Sequence, residues 1–158
     1  MITLAVIVAI PLLVILAGQL GMLAGTPPTD LGMRDGNRLK GLSATRNSAS
    51  SQANLYPEHP MRDYALVAPF KYKGDGKAAF ARLADIVAAQ PRTTVIKREP
   101  GYLYAECRTQ LLRFTDDLEF LLDEPAGVIQ VRSASRLGSG DHGVNRARVE
   151  SLRAQFGG

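Results

Sequence analysis

The residues that could do chemistry lie in two stretches of the C-terminal half. Alternation along an extended chain puts Arg113, Asp117 and Glu119 on one face of a strand, and Gln130, Arg132 and Arg136 on one face of the next. If these strands pair as a hairpin, acids and arginines meet across the ladder. Opposite-charge cross-strand pairs contribute roughly 0.2–1 kcal/mol each, so a solvated salt-bridge ladder is the ordinary outcome. The functional alternative is a pocket for an anionic group or a partner's backbone, with Arg132 and Arg136 as bidentate donors. Asn145 and Arg148, just downstream, join them as candidate interaction residues. The loop Gly138-Ser139-Gly140-Asp141-His142-Gly143 precedes a helix and could offer backbone N–H groups to an anion. Its spacing matches neither a P-loop nor a dinucleotide fingerprint, and a flexible turn capped by Asp141 or Asn145 explains it as well.

Other chemistry finds less footing. Asp116, Asp117 and Glu119 could supply a general acid and base, but acids on an open sheet face stay ionised and solvated. The lone cysteine, Cys107, shares a face with Leu103 and Ala105 and reads as a small buried hydrophobe. One cysteine also rules out an intrachain disulfide. His59 and His142 are isolated, away from any metal-ligand spacing. Ser133 and Ser135 have no recognisable histidine partner. No motif calls for a metal or a cofactor, and the expectation is a protein that is not an enzyme.

The elements that must position these residues follow from periodicity. Asp75 can cap a helix running to Gln90, with Ala79, Phe80, Leu83, Ile86 and Val87 on one stripe. Tyr64 to Ala68 suggests a first strand. Thr93–Arg98 and Tyr102–Arg108 form a hairpin around Glu99-Pro100-Gly101. A long strand runs from Leu111 to Leu122, where Asp116 interrupts an apolar face and calls for a bulge or bend. A last strand covers 128–136, with Ile129, Val131, Ser133 and Ser135 inward. A final helix covers 145–156 on Val149, Leu152 and Phe156. The fold class predicted is α+β: an N-terminal single transmembrane helix, then an antiparallel sheet of about five strands with two helices on one face.

The first charge of the 158-residue chain is Asp30. An uncharged apolar run over 2–24 has the length of a membrane-spanning helix, roughly 35 Å. It lacks the basic n-region and the small-x-small site of a cleaved signal, so an uncleaved anchor on membrane lipid is expected. Gly18, Gly21 and Gly25 fit ordinary membrane-helix composition or a thin face for another helix. The organisation predicted is an anchor over 1–25, an extended tether rich in Pro, Gly and Ser over 26–60, and a small domain over 61–158. The tether's order, if any, should come from contacts outside the domain. The net charge is +4, interspersed in sign, which speaks against nucleic acid as a partner. Arg34, Arg38 and Lys40 after the helix point to a cytoplasmic domain under the positive-inside rule, although whole domains translocate despite such charges.

Three motifs carry a family resemblance: Phe114-Thr115-Asp116-Asp117-Leu118-Glu119-Phe120, Val131-Arg132-Ser133-Ala134-Ser135-Arg136, and Gly143-Val144-Asn145-Arg146-Ala147-Arg148-Val149. With Pro27-Pro28-Thr29-Asp30-Leu31-Gly32, they resemble the domain of unknown function 1499 family. The resemblance implies a small α+β domain, often exported or membrane-attached in bacteria, with relatives in photosynthetic organelles and no agreed activity. It also implies a cysteine pair in relatives where Leu42 and Ser48 stand here, which suggests an oxidising compartment. The expected location is therefore the bacterial inner membrane with a periplasmic domain, and a cytoplasmic domain as the alternative. The expected function is a single-pass, non-enzymatic accessory subunit of a larger membrane protein complex, photosynthetic or respiratory. The alternative is a periplasmic small-molecule or lipid-binding domain.

Overall fold

Alternating apolar and polar residues in the second half of the chain build one antiparallel sheet, and the two kinds of face are covered differently. The structure is a computed structural model that describes residues 2–157, with side chains from Ile7 onward except Val8. In chain order the elements are α1 (Ile2–Gln19), β1 (Ser48–Ser50), a 3-10 turn (Ala53–Leu55), α2 (Arg62–Ala65), β2 (Phe70–Lys71), α3 (Gly76–Ala88), β3 (Thr93–Glu99), β4 (Tyr102–Arg108), β5 (Thr115–Asp123), β6 (Val128–Ser135) and α4 (Val144–Gly157). The six-stranded sheet runs β1-β6-β5-β4-β3, and β2 pairs with β6 beside β1. All pairings are antiparallel.

The α+β class and the antiparallel sheet are as the sequence predicts, as are α3, α4 and the hairpin of β3 and β4. Asp75 caps α3 by accepting from the Lys77 amide at 2.9 Å. The stripe of α3 and the Val149-Leu152-Phe156 stripe of α4 close over Leu103, Leu118, Phe120, Ile129 and Val131 to form the main core. Phe70 joins it, edge-on to Phe120 at 5.4 Å and to Phe156 at 5.7 Å.

Several elements differ from expectation. Tyr64 and Ala65 lie in a single helical turn rather than a strand, and the edge pairing falls to Phe70 and Lys71 instead. β5 starts at Thr115, not Leu111, because Arg113 takes a left-handed φ of 54° and the Thr109 hydroxyl accepts from the Phe114 amide. No bulge forms at Asp116, and register is continuous from Asp116 to Asp123. Arg148 on α4 answers that acid at 2.5 Å, so the strand need not bend to expose it.

The N-terminal helix stops at Gln19, short of the predicted Ala24, and its 18 residues rise about 27 Å. Among the described residues no helix is long and apolar enough to cross a membrane, so a continuous span over 2–24 does not form. The reason lies at its base. A Cβ on Gly18 would collide with the Leu112 carbonyl, Gln19 donates to the Leu111 carbonyl at 2.9 Å, and Gly21 turns the chain with φ 81°. Further on, a Cβ on Gly25 would sit 2.8 Å from the Arg136 Cβ. Gly18 thus admits the domain's own backbone, and Gly25 its Arg136 and Leu137 side chains.

The stretch predicted as a tether is part of the fold. β1 pairs with β6, Ala49 enters the main core, and Leu39 is 1 % exposed against Tyr102, Tyr104 and Leu121. The Gln52 side chain holds the strap, accepting from the Leu39 amide at 2.8 Å and donating to the Asn37 carbonyl at 2.6 Å. Small residues at 43–51 allow that close approach, which composition alone reads as disorder.

Candidate functional site

Period-two alternation gives β4, β5 and β6 a second face. It carries Tyr102, Tyr104 and Glu106 from β4, Asp117, Glu119 and Leu121 from β5, and Arg132 from β6, with Arg136 just beyond. The strap of residues 26–52 lies over it. Asp117, Glu119 and Arg132 are consequently buried, and the solvated ladder expected from sequence does not exist.

The geometry divides into two ion pairs. Arg136 forks onto Asp117, with Nε 3.1 Å from both carboxylate oxygens and a terminal nitrogen 2.7 Å from Oδ1. The same nitrogen reaches Glu106 at 2.5 Å and donates to the Tyr104 hydroxyl at 2.9 Å. Tyr104 in turn donates to Asp117 at 2.7 Å. Burial opposes the Arg136 charge, but its two carboxylates outweigh that and raise its pKa; burial likewise pushes Glu106 up and the arginines more than reverse it. Glu106 also pairs with the part-exposed Arg108 at 3.0 Å, so two acids and two arginines form a charge-assisted network.

The second pair is looser. Glu119 lies opposite Arg132 in register, yet the closest approach is 3.6 Å. Glu119 Oε1 accepts from Tyr102 at 2.7 Å and from the Gly32 amide at 3.1 Å, whereas Oε2 has no hydrogen-bond partner. Burial raises the Glu119 pKa and lowers that of Arg132. Arg132 Nε donates to the Gly41 carbonyl at 3.1 Å, and its terminal nitrogens find no hydrogen-bond acceptor among the described residues. Beside it is a cavity of about 350 Å³ between strap and sheet, lined by Lys40, Asn47, Asp117, Arg132 and Arg136.

Of the other sequence candidates, Asn145 and Arg148 sit on the opposite face, at the start of α4. Asn145 is fully buried and bridges β6 to the helix: Ser133 donates to its Oδ1 at 2.6 Å, and its amide donates to Asp141 at 2.8 Å. Asp141 caps α4 by accepting from the Gly143 and Asn145 amides, each at 3.0 Å, and also accepts from the Tyr64 hydroxyl. Burial raises the Asp141 pKa, but these donors prevail and hold it low. The loop glycines thus serve a capped helix start already occupied by a carboxylate. Arg113 stands apart from every other candidate, in the β4–β5 loop.

Sequence reasoning missed Tyr102, Tyr104 and Glu106. The signal was present: alternation that turns Leu103, Ala105 and Cys107 inward must turn these three to the other face. Cys107 is buried in the main core and burial pushes its thiol up, as a structural cysteine requires.

No curated protein and no solved structure matches the chain. The family described as protein of unknown function (DUF1499) matches residues 38–156, from within the strap to the end of α4. That match takes in both ion pairs, the capped helix start and the part of the strap from residue 38 on, and the chain belongs to the DUF1499 family.

Proposed function

We propose that this protein is a membrane-anchored, non-enzymatic accessory domain of a larger membrane protein assembly. The observation that carries this is α1. Ile7, Ile10, Leu12, Leu13 and Leu16 are all more than half exposed, and the helix sequence carries no charged residue on any side. A helix apolar all round is at rest only in lipid or inside a larger protein. Its 18 residues fall slightly short of a hydrocarbon core of about 30 Å. Local bilayer thinning accommodates such a shortfall at modest cost, and Leu20, Met22 and Leu23 continue the apolar path.

The non-enzymatic part is supported by how the ionisable groups are spent. Asp117 and Glu106 are paired by Arg136 and Arg108, Asp116 is held by Arg148, and Asp141 by a helix cap. The test is a native gel of membranes from the source cell, solubilised in mild detergent. The protein should migrate with a species several times its own mass. Migration only as a small free monomer would overturn the proposal.

One observation favours a second function, the binding of a small anionic ligand. The terminal nitrogens of Arg132 lack acceptors beside the 350 Å³ cavity that Lys40 and Arg136 also line. Phosphate or a small dicarboxylate should then raise the melting temperature of the wild type but not of Arg132→Met. No shift in either removes this second function.

A further inference from the structure

The sheet has two ends, and they differ. At one end lie the β4–β5 loop (109–114), the β6–α4 loop (136–143) and the base of α1. At the other lie the β3–β4 and β5–β6 turns. α1 is fixed to the first end at two places, Gly18 on Leu112 and Gln19 on the Leu111 carbonyl, and the chain just beyond it packs there too, Gly25 against Arg136 and Leu137. The apolar helix leaves the domain from there.

The same end exposes large apolar side chains that the fold leaves uncovered. Leu111 is 58 % exposed, and Leu137 and Val144 are each 44 % exposed, beside Leu20 and Met22 at the root of α1. The two loops also enclose a hollow of about 330 Å³ whose walls include Phe114, Leu137 and Val144. Contiguous exposed apolar surface on a small domain marks a site of contact. Arg113 adds a cation on the same loop.

We propose that this end of the domain rests on the bilayer surface, with Leu111, Leu137 and Val144 in the headgroup–acyl boundary and Arg113 toward anionic headgroups. The inference rests on α1 being the lipid anchor. A helix leaving the domain at this end and entering a membrane must bring the two loops to the interface, because its base is bonded to one of them and the chain just beyond it packs on the other. The occupant follows from that continuity: lipid reaches these side chains before any protein partner does. Seating amphipathic and apolar groups there adds affinity in proportion to the buried apolar area, and the cation favours anionic lipid. The consequence is an oriented domain, lying at a fixed height instead of swinging on a tether.

The chain has no tryptophan, so single tryptophans report position without background. Leu111→Trp, Leu137→Trp and, on the far β5–β6 turn, Glu124→Trp are made in the full chain and reconstituted into vesicles of phosphatidylcholine and phosphatidylglycerol with brominated acyl chains. The far turn is roughly 25 Å away along the strands. Emission from Leu111→Trp and Leu137→Trp should fall at least twofold relative to unbrominated vesicles, and that from Glu124→Trp should not change. Val144→Trp replaces either variant if its melting shows that it does not fold. If no variant floats with the vesicles, the anchor itself is wrong. If all float and the loop reporters are as unquenched as Glu124→Trp, the anchor stands and the docked orientation is overturned.

Discussion

The two faces of this sheet draw on alternate residues of the same central strands and are both buried, yet by opposite means. The helix face is sealed by α3 and α4 with aliphatic and aromatic side chains, and each large side chain buried there contributes about 1.5–3 kcal/mol. The strap face is sealed by a stretch with little regular structure, over tyrosines, three carboxylates and two arginines. Charges can be buried there because their partners lie on adjacent strands in fixed register, so no chain segment has to be reorganised to bring them together. The difference teaches that a charged strand face in this fold is no sign of solvent: what matters is whether a segment elsewhere can cover it.

The largest expected effect is on the strap face. Arg136→Ala leaves Asp117 buried without its cation and Glu106 with Arg108 alone, and breaking a buried pair by removing one partner costs about 3–5 kcal/mol. Denaturant unfolding of the full chain in detergent measures it. A loss under about 1 kcal/mol would mean the strap lifts readily and the face is solvated. On the helix face, Leu118→Ala should cost about 2–5 kcal/mol by cavity formation, with the same readout. Molar salt should change neither deficit much, because the Arg136 pair is buried and little screened; a first deficit that vanishes in molar salt would mean a solvated face.

Acid should also tell the carboxylates apart. Glu106 and Asp141 are held below the ordinary carboxylate range, so their contribution is complete above about pH 4.3 and is lost as pH falls through their folded values. Glu119 is raised, so its contribution has the opposite sign: it is present at low pH and declines as pH climbs from about 4.3 through its folded value. Glu106→Gln should therefore flatten the acid limb of a melting-versus-pH curve, and Glu119→Gln should flatten the decline above it. A wild-type curve without slope on either side would contradict both assignments. The smallest effect is expected for Arg98→Ala. Its bridge to Asp85 on α3 is exposed on both sides and worth about 0–1 kcal/mol.

How much of this was legible in the sequence follows the same division. α3, α4 and the β3–β4 hairpin were legible because their apolar periods run unbroken between clear caps and turns. The pairing of Glu119 with Arg132 was legible from alternation alone. The burial of that pair was not, because the cover comes from residues 26–52, whose Pro, Gly and Ser content reads as a solvated tether. Leu39 and Ala49 carry the apolar contacts of that stretch, too sparsely spaced to form a period. Asp116 misled for a related reason: an acid on an apolar face predicts a distortion unless its partner, Arg148 on a helix 32 positions away, is already known. The end of α1 at Gln19 depends on Leu111 and Leu112, more distant still, with 92 positions between Gln19 and Leu111.

The central claim is that the charged face is sealed internal structure, so that the protein acts through its apolar helix and the end that carries it. Amide hydrogen exchange on the full chain in lipid nanodiscs tests this most directly. The amides of Leu39 and of Ser51, whose donors point to Gln52 and Val131, should be protected to within about tenfold of those in β5 and β6. Exchange there at the rate of an unstructured chain, with β5 still protected, would contradict it: the strap would be open, and Arg132, Arg136, Asp117 and Glu119 would face solvent as an accessible site.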